Sequence, residues 1–325
     1  MGARIAGTGS CLPQRRVSNA DLATVVDTLD VWIVKRTGIR TRFLLSEGET
    51  PSDLGVVACQ RALEAAGRRP ADVDLLLVAT TFPDMICPGT SPFVAQGLGM
   101  RGAPFFDITA GCTGFVYALA VAEAYIQAKL GERVLVLGFE ALSRVTDWSD
   151  RRTCVLFGDG AGATLLERGG DGQGILGISL RGDPDKALLL HMPAGGTRRP
   201  ASHDTVEGRE HFLRMEGSGV FRSAVPLMRE AMDNALLAAH LEREAVDWIL
   251  PHQANARIID AFADRLALPR ERVIVNVDRV ANTSAASIPI ALDEAMRDGR
   301  IRPGHVVVLT AFGAGVTYGA AVIRM

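Results

Sequence analysis

The chain repeats itself at an offset of 173 residues, and this limits the folds open to it more than any other feature. Ala62, Leu63, Ala65, Ala66, Val73 and Asp74 recur as Ala235, Leu236, Ala238, Ala239, Val246 and Asp247. Ala118-Leu119 recurs as Ala291-Leu292, and Gly131 as Gly304, each glycine standing just before an apolar run (RVLVLG and HVVVLT). Two closing segments, FGDGAGATLLE from Phe157 and FGAGVTYGAAVI from Phe312, echo one another at a different spacing. Self-similarity over so long a period is the mark of a duplicated structural unit.

Each copy contains a helix pattern, a buried strand, a loop, a second helix and strand, and a glycine-rich turn into a final strand pair. The runs VDLLLVATT, RVLVLGF, DWILPH and HVVVLTAF are continuous and apolar. Strands covered by helices on both faces have that character, whereas half-exposed strands alternate. The expected class is therefore α/β, a duplicated five-layered α/β/α/β/α body with pseudo-twofold symmetry. Residues 1–170 form one half and 171–325 the other. The stretch Glu167–Glu216, rich in Gly, Pro and Arg, is expected to be a linker with surface loops.

The repeat also places chemistry. Cys112 follows an apolar run and precedes the helix pattern TGFVYALAVAEAYIQAKL, and its counterpart at 285 falls in the NTSAAS segment that holds Asn282. His252 ends the run DWILPH and is the counterpart of Ala79, at the end of a matching strand. Loops after equivalent strands converge on a pseudo-twofold axis, so Cys112, His252 and Asn282 are expected to meet. A Cys at a helix N-terminus, where free N–H groups and the dipole favour a thiolate, is a candidate nucleophile. Gly111 and Gly114 permit a sharp turn there. An Asn before a helical run ordinarily caps it; only the symmetry lifts Asn282 above that role.

Other classes fall away. Thirty-five basic against 37 acidic side chains leave a net charge of −2, which suggests neither a nucleic-acid nor a membrane partner. Five cysteines without a CxxC pair argue against a disulfide framework or structural zinc and for a reducing cytoplasm. The opening MGARIAGTGSCLP lacks a signal-peptide pattern, and no uncharged apolar run reaches the length of a membrane span. IAGTGSCL has no third glycine, FGDGAGATLLE leads into a strand pattern, and no GK[ST] follows, so a nucleotide fingerprint is refused. No HExxH or cluster of His, Asp and Glu suggests a metal.

GTGSCLP, LDVWIVKRTGIRTR, the turn around Cys112, FGDGAGA, PHQAN, NTSAAS, DEAMRDGRIRPG and AFGAGVTYGAA together resemble the β-ketoacyl-acyl carrier protein synthase III family of thiolase-like condensing enzymes. The resemblance covers essentially the whole chain, in order. It implies a homodimeric enzyme that takes an acyl group from acyl-CoA onto Cys112. Malonyl-acyl carrier protein then condenses with loss of CO₂, with no cofactor beyond these substrates. On this likeness His252 and Asn282 bind the malonyl thioester oxygen, and the backbone N–H groups of Cys112 and Ala314 form the oxyanion hole. Phe312 crowds the malonyl carboxylate. Trp32 and Arg151 enclose the CoA adenine, with Thr28, Arg36, Gly217, Phe221, Asn255 and Arg257 along the CoA arm, while Arg222, Arg257 and Arg265 meet the acidic carrier. Tyr318 stands where the family often has Trp. Cys87, in FPDMICPGTS, is small where short-primer relatives carry a bulky side chain. This implies an acyl tunnel, shared with the partner subunit, that is open beyond a two-carbon primer. The resemblance leaves room for a specialised homologue that uses a non-acetyl starter or transfers the acyl group without condensing it. A non-catalytic chain-length-factor-like partner is disfavoured because such subunits lose the Cys.

Overall fold

The computed structural model describes residues 2–170, 172–267 and 269–325. Among the described residues, nine strands form the two main sheets. The first has the spatial order Ala3–Cys11, Asp159–Arg168, Arg133–Ala141, Leu75–Ala79 and Phe105–Ile108. The second runs Gly174–Gly182, Thr317–Arg324, Val306–Gly313 and Trp248–Pro251. Reading each sheet in that order gives the same succession of pairings, antiparallel, antiparallel and then parallel. A single bridge between Ile249 and Val273 stands where the first sheet has its edge strand.

The 173-residue offset holds in three dimensions. Leu75 and Trp248 start equivalent strands, and so do Arg133 and Val306. The one-turn helices Gly111–Thr113 and Ser284–Ala286 lead into the equivalent helices Gly114–Gln127 and Ser287–Arg297. Those two helices lie between the sheets. Phe115, Leu119, Ile288 and Leu292 share one core with Leu75, Leu77 and Val136 of the first sheet and Val307, Leu309 and Ala321 of the second. Each such side chain taken from water contributes about 1.5–3 kcal/mol, so this shared middle layer binds the halves together.

The outer layers follow from ordinary helix signals. Pro51–Ala65 starts with proline at its first position, and the N–H and hydroxyl of Thr50 both donate to the Asp53 carboxylate. It lays Leu54, Ala58 and Ala62 on Leu76, Leu135 and Leu165. On the other side Gly217–Ala238 and Ala256–Leu266 cover the second sheet through Met228, Met232, Leu236 and Phe262. The result is the five-layered body expected from the repeat.

One expectation is corrected. The stretch Glu167–Glu216 is not a linker throughout, because Gly174–Gly182 is an integral strand, paired along its length with Thr317–Arg324. Its glycines mask the alternation of buried and half-buried positions that would have marked it. Among the described residues no helix is long and apolar enough to cross a membrane.

Candidate active site

Cys112 sits in the turn Gly111–Thr113, immediately before the central helix Gly114–Gln127. Gly111 has φ +57°, in the left-handed region that favours glycine. A Cβ there would lie 2.7 Å from the Ala314 nitrogen, and one on Gly313 would lie 2.7 Å from the Cys112 nitrogen. Two glycines thus let two backbone turns touch and bring the Cys112 and Ala314 amides side by side.

His252 follows the strand Trp248–Pro251, and its backbone N–H continues the ladder to the Thr310 carbonyl at 2.7 Å. Gln253 fastens this turn. Its Nε2 donates to the Pro251 and Ile274 carbonyls, and its Oε1 accepts the N–H groups of Asn276 and Val277. The His252 ring is buried, and its Nδ1 lies 2.6 Å from Ser287 Oγ. Burial pushes the imidazole down to about 3, so the ring is neutral. Ser287 Oγ also accepts the Gln253 N–H at 3.3 Å, and in one of the two tautomers open to the ring its own hydroxyl donates to His252 Nδ1. The ring proton then resides on Nε2.

Asn282 is held by its own backbone, with the N–H to Leu156 and the carbonyl accepting from Gly158, each at 3.0 Å. Its Oδ1 accepts the Ser284 N–H at 2.9 Å, capping the turn into Ser287–Arg297. The cap occupies only one end of the amide, leaving Nδ2 as a donor.

Cys112, His252, Asn282, Phe312 and Ala314 all line one cavity of about 850 Å³. The buried apolar groups Leu156, Phe157, Met228 and Val316 form part of its wall, and the exposed side chains Arg36, Arg151, Arg222 and Arg257 stand at its mouth. There the Arg36 and Arg151 guanidinium carbons lie 4.9 and 5.2 Å from the centre of the Trp32 ring, and that of Arg257 lies 5.4 Å from Phe221. These are cation–π distances, and Trp32 offers a flat surface for another planar group. Gly217 and Asn255 also line this arm. Thr28 is buried outside the lining, Arg265 is exposed on the outer face, and Cys87 is exposed away from the cavity of its own chain. Among the described residues no group of three His, Cys, Asp or Glu side chains is placed to hold a metal.

The thiol departs from the sequence expectation. Burial pushes Cys112 up to about 11, against the Ser284 hydroxyl, which lowers it, and with the Glu140 carboxyl, which raises it further. The helix proper begins two residues later, at Gly114, and desolvation outweighs its dipole. A neutral resting thiol has a direct signature. Alkylation of Cys112 by iodoacetamide, followed by peptide mass, is expected to keep accelerating through pH 9 toward about 11; a rate already independent of pH in acid solution would show a thiolate at rest.

Three polar residues of the site escape the sequence reading: Ser284, Ser287 and Glu140. The first two are visible only as hydroxyls in NTSAAS, but the repeat gives a signal, since Ser287 is the counterpart of Gly114. Glu140 is the one acid in the strand Arg133–Ala141, after the apolar run Val134–Phe139.

Known proteins resemble the chain over its whole length. Residues 106–184 match the family model described as 3-oxoacyl-[acyl-carrier-protein (ACP)] synthase III, and residues 236–325 match the model for its C-terminal part. The β-ketoacyl-[acyl-carrier-protein] synthase III of Rhizorhabdus wittichii is 50% identical over 98% of each chain. The protein of the same name from Caldanaerobacter subterraneus is 47% identical over all of this chain and 98% of its own. The crystal structure of 3-oxoacyl-[acyl-carrier-protein] synthase III from Aquifex aeolicus superposes with a TM-score of 0.92, at 41% identity and full coverage of both chains. The duplicated five-layered fold is that of the thiolase-like condensing enzymes. Within that class, the chain belongs to the 3-oxoacyl-[acyl-carrier-protein] synthase III family.

Proposed function

We propose that the chain is an acyltransferase that condenses an acyl-CoA primer with a malonyl thioester carried on acyl carrier protein, opening fatty-acid or related chain synthesis. The observation that carries this reading is the placing of Cys112, His252 and Asn282 in one cavity whose mouth bears an Arg-flanked Trp. In the first half-reaction the Cys112 sulfur attacks the primer carbonyl, and the Cys112 and Ala314 amides bind the oxyanion as CoA leaves. In the second, loss of CO₂ turns the malonyl thioester into an enolate. His252 Nε2–H and Asn282 Nδ2–H donate to its oxygen, and the carbon attacks the acyl-Cys112 carbonyl. Phe312 presses on the malonyl carboxylate and favours its departure as uncharged CO₂. No cofactor is required, because both acyl donors are substrates.

Arg151 moves off the Trp32 ring, where it rests 5.2 Å from the centre, to take the CoA adenine between the two side chains; Arg36, Gly217, Phe221, Asn255 and Arg257 follow the rest of the CoA arm, and Thr28 supports it from behind the wall. Arg222, Arg257 and Arg265 offer the cationic face for an acidic carrier. The strand Phe105–Ile108 is a sheet edge with Phe105 and Phe106 exposed, near the loop of exposed Met85, Ile86 and Cys87. An open apolar edge of this kind invites pairing with a second copy, which supports a homodimer. Residues 1–170 and 171–325 are its two thiolase-like halves, each supplying the strands of one sheet. The five cysteines are unpaired, in keeping with a cytoplasmic protein.

The test is to offer the protein a panel of CoA thioesters and weigh the product. An acyl adduct is expected on the peptide that contains Cys112; an adduct only on another cysteine, or none with any thioester, refutes the reading. The same panel examines primer length. With cysteine at position 87 the shared acyl tunnel is open, and each further buried methylene contributes about 0.8 kcal/mol. Primers longer than acetyl are therefore expected to react preferentially, and Cys87→Phe is expected to shift the preference toward shorter ones. A wild type that already prefers acetyl-CoA, or a profile unmoved by Cys87→Phe, contradicts the open tunnel.

A further inference from the structure

The half-reactions above leave the Cys112 thiol proton without a destination. His252 is a poor one, since its burial strongly disfavours the imidazolium. Glu140 is differently placed. It lies near the end of the strand Arg133–Ala141 and is fully buried with no basic partner among its contacts. Its Oε1 accepts the Ser284 hydroxyl at 3.2 Å and the Thr81 N–H at 2.9 Å; its Oε2 accepts the Phe82 N–H and the Thr80 hydroxyl, each at 3.4 Å. Ser284 belongs to the turn packed against that of Cys112, and its hydroxyl is among the influences that lower the thiol. One hydroxyl therefore links the reacting atom to a buried carboxyl. Ser284 holds φ +49°, a left-handed conformation unusual for a residue with a side chain. Such outliers persist where the surroundings impose them and cluster at working sites.

We propose that Ser284 and Glu140 are the proton route of acylation, an inference that rests on the acyl-transfer reading of Cys112. As the sulfur bonds to the primer carbonyl, its S–H bond breaks and the proton passes to Ser284 Oγ. The Ser284 hydroxyl proton passes to Glu140 Oε1. The C–S bond to CoA breaks, and CoA leaves as a thiolate that takes a proton from solvent. When the enolate later attacks the acyl carbonyl, the C–S bond to Cys112 breaks and the sulfur leaves as a thiolate. The proton held by Glu140 then returns through Ser284. On this route Ser284 takes the proton from the reacting sulfur, and Glu140 acts through it.

Charge balance favours this route. Thiol plus carboxylate becomes thiolate plus carboxylic acid, so the buried space holds one negative charge before and after. Sending the proton to bulk water instead would leave two negative charges close together, and the Glu140 charge is among the causes that hold the thiol high. Burial lifts the Glu140 carboxyl to about 7, where it can both accept and return a proton at neutral pH. The groups facing it are the Cys112 thiol, the Ser284 hydroxyl, and the Thr80, Thr81 and Phe82 groups at the end of the strand Leu75–Ala79. None of them is charged while Cys112 is a thiol.

The experiment is single-turnover acylation of the full chain by acyl-CoA, followed by intact mass across pH, for wild type, Glu140→Gln, Glu140→Asp and Ser284→Ala. The wild-type rate is expected to rise through about pH 7 to a plateau. Glu140→Gln and Ser284→Ala are expected to be slower at neutrality by roughly 10²-fold, to lack that plateau, and to recover as bulk base takes over through pH 9. Glu140→Asp, which keeps a proton acceptor, is expected to regain part of the neutral rate. Malonyl-thioester decarboxylation, which moves no Cys112 proton, is read alongside and is expected to persist in all three variants. Acylation by Glu140→Gln at the wild-type rate and pH profile overturns the proposal. So does loss of acylation and decarboxylation together without recovery at high pH, which would make Glu140 only a brace for Thr81 and Phe82. A wild type that never acylates Cys112 instead refutes the acyl-transfer reading itself.

Discussion

Replacing Cys112 with alanine should abolish the acyl-enzyme and lower condensation by roughly 10⁴–10⁶-fold, the scale on which covalent enzymes lose their nucleophile. The effect should be this large because nothing nearby can substitute. Cys59 and Cys154 are buried, Cys59 in the packing of the outer layer, and Cys87 is exposed away from the cavity. Serine at position 112 would keep the space but offer an alcohol, a far weaker nucleophile in a site built around a thiol that already sits near 11. The measurement is intact mass after incubation with acyl-CoA, paired with the condensation rate. Unchanged acyl loading in Cys112→Ser or Cys112→Ala would remove Cys112 from the chemistry.

The second large effect divides the two half-reactions. His252→Ala and Asn282→Ala should each cost about 10²–10³ in condensation, the usual scale for removing one donor to an oxyanion. Self-acylation should change much less. Asn282 is fixed as a donor by the Ser284 N–H at its Oδ1, and His252 Nε2 is a donor in the tautomer in which Ser287 donates to Nδ1. The neutral ring matters as well. An imidazole held near 3 remains a hydrogen-bond donor throughout the pH range of the reaction, without adding a cation to a buried space. Separate assays of primer loading and malonyl-thioester decarboxylation check the division. If both variants lose loading while decarboxylation survives, the roles assigned here are reversed.

The parts of this architecture legible in the sequence are those written as repetition. The offset of 173 placed the turn of Cys112 opposite that of Asn282, and the coordinates hold the same spacing at Gly111–Thr113 and Ser284–Ala286. It did not reveal the strand Gly174–Gly182, because glycines there remove the side chains that would have shown alternation. Ser287 and Glu140 escape a reading of the sequence for another reason. Their significance lies in contacts 35 and 144 residues away along the chain, to His252 and Ser284, and no local pattern announces them. Nor does a turn before a helix say how deeply it is buried, and it is burial that raises the Cys112 thiol.

Duplication also fixes a stoichiometry. The position equivalent to Cys112 is Ala285, 1% exposed, whose methyl would lie 3.6 Å from a Cβ placed on Gly114. The two turns are interlocked, so a second thiol at 285 would be driven into the packing between the halves rather than toward the cavity. An ancestor with two identical units would have presented two equivalent turns. In this chain one turn holds Cys112 while the other follows Asn282 and holds Ser284, and on the proposed reading an acyl-CoA titration should therefore saturate at a single acyl group per chain.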